Sequence, residues 1–245
     1  DQVAASDALY QLIRAERPLT EMIQETVRIH APYTQAPFHQ RFDDGIIRFV
    51  NNDHCLISGR MALKMPSVLS DEFRFLPMAQ TMWYIPTGID AWNQLLGKAP
   101  GHYGARRYDA ARYPIPPDPG VHQPDFEPLD DASHLGDLDA QLNEWLTLVM
   151  RNEVGPSYQL FQALIRNEVS RPKMLAQMMF AGLIDIQDRM LYVTSYTTGH
   201  KSFRARAALE LAQAVGWENA HSIFYAGVPD LAVGPHYYAN YEMAC

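Results

Sequence analysis

Cysteine is nearly absent from this 245-residue chain: Cys55 and Cys245 form neither a C-x-x-C pair nor a disulfide framework. That excludes a disulfide-stapled secreted module and a thioredoxin-type site, and it fits a reducing cytoplasm. The fourteen glycines build no phosphate cradle, since G-x-G-x-x-G and G-x-x-x-x-G-K-[ST] are both missing. The nucleophile elbow G-x-S-x-G and the zinc signature H-E-x-x-H are missing too, which removes the commonest serine-hydrolase and metalloprotease readings. No apolar run approaches the roughly 20 residues that span a bilayer. The nearest, Met174 to Ile184, ends at Asp185. The first residues, Asp1 to Tyr10, lack the basic-then-apolar order of a signal peptide. Positive charge is scarce as well: 20 Lys and Arg against 28 Asp and Glu give a net charge of −8, which argues against a nucleic-acid platform. The chain opens without Met and stops at Glu242-Met243-Ala244-Cys245, as a piece of a longer protein would.

What is present is the material of a folded core. Hydrophobic residues make up 47% and charged residues 20%, which excludes disorder, collagen and coiled coil. A chain of this length buries about 70–75% of its unfolded surface and needs no staple. The period is helical. Leu9, Leu12 and Ile13 form one stripe, and Leu19, Met22, Ile23 and Val27 the next, with Pro18 between them. A third helix is expected from near Asp43, with Ile47, Val50, Ile57 and Met61 on one face and Pro66 as its stop. Leu76 to Gly97 reads as two helices broken at Pro86, the second capped by Thr87. Leu138, Leu142, Trp145 and Val149 make a strong stripe, which Gly155-Pro156 interrupts before Tyr158, Phe161, Leu164 and Ile165 resume it. Pro172 opens a helix through Leu175, Met178, Met179, Leu183 and Ile186. Phe203, Ala207, Leu211 and Ala214 mark another, closed by Gly216, with short helices following from Trp217 and from Pro235. Between Pro100 and Pro128 seven prolines alternate with Tyr, Asp and His, so this stretch reads as an extended strap over a helical body. The expectation is an all-α bundle of about eight to ten helices. It forms a single domain over 1–245, with a boundary near 100–130 as the alternative.

Nine histidines are the unusual feature. His54 sits between Val50 and Ile57 at helical spacing, His221 between Trp217 and Phe224, and His30 three residues after Val27. His200 begins the stripe of Phe203. Each is expected to point inward, where an imidazole must be hydrogen-bonded, metal-bound or catalytic. Glu153 follows Val149 by four, and Asp185 interrupts an apolar run, so both carboxylates are expected on inward faces and in need of a metal or a cation. Arg189, Arg151, Arg204 and Arg206 could supply that cation as plain structural ion pairs. Glu218 and His221 form Glu-x-x-His, the spacing that presents a carboxylate and an imidazole on one helical face. His236 follows Gly234-Pro235. Iron or another transition metal therefore has a candidate ligand set in His54, Glu153, Asp185, His200, Glu218, His221 and His236. Ser195 to Arg204 carries Thr hydroxyls, a Gly and a His at a helix start, which suits an anion or an ordinary cap. Asp53-His54 reverses the His-Asp order of helical phosphohydrolases, and neighbours in a helix diverge by about 100°, so His54-Cys55 is a poor thiol dyad.

Asn51-Asn52-Asp53-His54-Cys55-Leu56 with Ala62-Leu63, and Thr197-Thr198-Gly199-His200 with Ala205 to Ala208, resemble the questin-oxidase-like family of helical oxygenases. The resemblance implies oxidation of an aromatic or ketone substrate, Baeyer–Villiger in type, and it carries over to His54 and His200 as catalytic residues. The expected function is thus an oxygenase-type oxidoreductase with non-haem iron, a small-molecule substrate and an electron-transfer partner, in a chain that can pair with its own copies. No nucleic acid or membrane is expected. The alternatives are a metal-free enzyme with His200 or His54 as general base, and a non-catalytic helical interaction domain of a larger redox protein.

Overall fold

A computed structural model describes residues 1–34, 54–95, 132–184 and 200–232. Among these residues there are nine α-helices and no strand, so the architecture is all-α. The strap expected at 100–128, the start of the third helix, and the helix expected from Pro235 all lie outside the described residues. Chain contacts divide the protein into two compact units. One comprises Asp1–Val121 with Ala207–Ala226, the other His122–Arg206 with Gly227–Cys245.

In the first unit, α1 (Gln2–Arg14) is capped by the Asp1 carboxylate, which accepts from the Val3 amide at 2.9 Å. The helices α2 (Leu19–Thr34), α3 (His54–Lys64) and α4 (Leu76–Leu95) follow. α4 packs against α1, α2 and α3, and α2 against α3. Their shared core holds Leu9, Met22, Ile23, Val27, Leu56, Met78 and Met82. Two sequence expectations fail here. α4 is one helix that continues through Pro86, and Thr87 is no cap: its hydroxyl donates back to the Trp83 carbonyl at 3.1 Å. Pro86 gives up one amide donor, but it is buried in the packing of a 20-residue helix, and that packing outweighs the local break.

α3 is also turned relative to the expected stripe. Cys55, Leu56, Gly59 and Ala62 face inward, while Met61 is exposed. The small residues set this phase. A Cβ at Gly59 would lie 3.5 Å from Ile23 and 3.7 Å from Thr81, ordinary packing distances, so this face of α3 lies against its neighbours. The helical phase carried in from Ile47 and Val50 misses this by about 100°, one residue's rotation.

In the second unit, α5 (Leu138–Met150) is capped by the Asp137 carboxylate, which accepts from the Ala140 amide at 2.9 Å. Asn152, at φ 62°, turns the chain into α6 (Val154–Arg166), so the break comes just before Gly155-Pro156 and leaves that pair in the first turn. α7 (Arg171–Ile184) packs on both helices. The expected stripes hold: Leu142, Trp145 and Val149 are buried, as are Tyr158, Phe161, Leu164 and Ile165. Trp145 and Tyr158 flank Phe161 at ring separations of 6.4 and 6.0 Å. α8 (His200–Val215) contributes residues 200–206 to this unit and 207–215 to the first, which also holds α9 (His221–Gly227) up to Ala226.

Candidate functional site

The expected stripe of α8 is inverted near its start. Phe203 is 56% exposed, whereas Lys201 and Arg204 are buried at 2% and 0%. In the second unit these two cations meet the turn Pro229–Ala232, all four of whose residues are buried. The Arg204 guanidinium pairs with the Asp230 carboxylate, and Lys201 Nζ donates to the Leu231 carbonyl at 3.1 Å. The turn packs on α5 and α6. α7 closes the other side of the α8 start: a Cβ on Gly182 would lie 3.0 Å from the Lys201 carbonyl oxygen and 3.2 Å from the Ala205 Cβ. The local sequence explains the reversal. Ala205 sits beside Arg204 on the buried face and is small enough for α7 to come close at Gly182, while the long cationic side chains run inward to the turn.

Removing several charges from water is costly unless each is paired and hydrogen-bonded. Here one ion pair and one ammonium–carbonyl bond hold an otherwise apolar turn in place. Chemically, the cluster is a fixed set of charges in a dry environment, one residue beyond His200. His200 is the first residue of α8, and its side chain lies outside the described part of the structure.

The other expected site residues scatter. His54 is exposed at the start of α3, where its ring stacks on Tyr84 at 5.5 Å. His221 is exposed at the start of α9, beside Tyr225 at 6.4 Å between rings. Glu153 is exposed just ahead of α6. The inward orientation expected for these three therefore does not hold. Glu218 is exposed as well, and Glu-x-x-His spans no continuous helix: Glu218 lies in a 3-10 turn (Trp217–Asn219), and His221 opens the next helix. Gly216, at φ +90°, ends α8, and the 3-10 turn that follows stops at Asn219, so Ala220 separates the two residues' elements. Among the described side chains, His30 alone meets the inward expectation, being buried at 1% on α2 with Thr26 one turn away. Asp185 and His236 lie outside the described residues. Among the described residues, no group of three or more His, Cys, Asp and Glu could hold a metal ion. The residues described thus do not by themselves fit a transition-metal site.

Burial pushes the Cys55 thiol well above its ordinary value, so it is not poised as a nucleophile. A cavity of about 660 Å³ opens between α5 and the α6–α7 junction, against Leu138, Gln141, Leu164 and Arg166. Much of the polar chemistry on that side is spent on closing α6. Ser170 Oγ donates to the Leu164 carbonyl at 2.6 Å, and Arg171 Nε to the Ile165 carbonyl at 2.8 Å. None of the expected site residues lines this cavity.

The sequence offered Arg204 as the cation of a structural ion pair, which it is, but its acid, Asp230, went unnoticed. The available signal was the Ala205 and Ala208 pair, which marks a close-packed face at helical spacing. No known protein family matches the chain, and neither a curated protein nor a solved structure is significantly similar to it. Among the described residues, no helix is long and apolar enough to cross a membrane.

Proposed function

We propose that the protein is an oxygenase-type oxidoreductase acting on a small aromatic or ketone substrate, with its chemistry at the amino end of α8. The observation that carries this reading is the buried Lys201–Arg204–Asp230 cluster directly after His200. Buried, specifically partnered charges concentrate at functional sites because they set the charge and proton affinity of neighbouring groups. In this reading His200 stands at the reacting centre, and the fixed charges that follow it set its proton affinity. The overall Baeyer–Villiger change converts ketone, dioxygen, two electrons and two protons into ester and water, the electrons arriving from an electron-transfer partner. Non-haem iron is the proposed cofactor, with His200 as a ligand, and it would supply dioxygen activation. A reducing, cytoplasmic location belongs to the same proposal.

The test is ferrous-ion binding and substrate-dependent dioxygen uptake, with cyclohexanone and acetophenone as probes. Wild-type protein, His54→Ala and Glu153→Gln should retain iron and take up oxygen, and His200→Ala should lose both with unchanged circular dichroism. Iron retention by His200→Ala, or no oxygen uptake by iron-loaded wild type with a reductant present, overturns the proposal. A second reading, a non-catalytic interaction domain, is favoured by the exposure of Val68, Phe73, Leu76 and Trp83 in the first unit.

A further inference from the structure

We draw no further inference here: the strongest candidate, the exposed apolar side chains of Val68, Phe73, Leu76 and Trp83 between the end of α3 and the first half of α4, carries nothing because nothing in the structure shows what covers them.

Discussion

Replacing Asp230 by Asn removes the negative member of the buried pair while keeping its shape, and leaves the Arg204 guanidinium facing a neutral amide. Both side chains are almost wholly shielded, at 0% and 3% exposure, so water cannot take over the lost interaction. Breaking a buried pair from one side costs about 3–5 kcal/mol. At about 2–4 °C per kcal/mol for a chain of this size, the thermal midpoint should fall by roughly 6–20 °C. Arg204→Met should cost about as much, because it removes the cation facing a buried carboxylate instead. The double variant Arg204→Met/Asp230→Val removes both charges, and it should recover at least about 2 kcal/mol of the summed single effects. Thermal and urea unfolding of the three variants, read as a double-mutant cycle, measures this directly. Single effects below about 1 kcal/mol, the range of exposed pairs, together with additivity in the double variant would refute the argument that this pair holds the second unit's interior turn.

Other expectations follow from the same packing. Gly182→Ala forces a Cβ to 3.0 Å from the Lys201 carbonyl oxygen, and it should destabilise the second unit by about 1–3 kcal/mol. Gly59→Ala meets only ordinary contacts from 3.5 Å outward and gains helix propensity, so it should be neutral or stabilising by up to about 1 kcal/mol; urea midpoints that fail to separate the two variants would contradict the packing. Lys201→Met strips the Leu231 carbonyl of its ammonium donor, and should cost about 1–3 kcal/mol in the same assay. Cys55 keeps its proton when folded and loses it when unfolded above a pH of about 8.5, so its contribution to stability falls as pH rises, at up to about 1.4 kcal/mol per pH unit. Cys55→Ala should lack that slope. Iodoacetamide should modify Cys55, followed by peptide mass spectrometry, only after denaturation.

The helical class was legible because most stripes are unambiguous. Trp145 with Leu142 and Val149, and Phe161 with Tyr158 and Leu164, offer one apolar face each, and burial follows that face. Failure came where large and small residues compete for the interior. On α3, Met61 and Ile57 outweigh Cys55, Gly59 and Ala62 in hydrophobicity, yet Cys55, Leu56, Gly59 and Ala62 form the buried face. On α8 the same competition puts Phe203 outside and Arg204 inside, and no periodicity argument assigns a guanidinium to a core. Pro86 misled in the opposite direction: a local breaker was overruled by packing along the whole of α4. The candidate site was less legible than the fold because its acid, Asp230, comes from a four-residue turn far along the chain, and such a turn leaves no repeating pattern. Glu218 and His221 looked like a pair only on the assumption of an unbroken helix, and the chain breaks between them at Ala220.

Both units are discontinuous in the chain, and that has a consequence for biosynthesis. The first takes in Ala207–Ala226 and the second Gly227–Cys245, so neither can be completed from the ribosome's early output. The carboxylate that Arg204 pairs with is made 26 residues after it, and the Leu231 carbonyl that accepts from Lys201 comes one residue later still. A chain interrupted before Asp230 would therefore lack the acid that the buried Arg204 pairs with, and would expose apolar surface that favours aggregation.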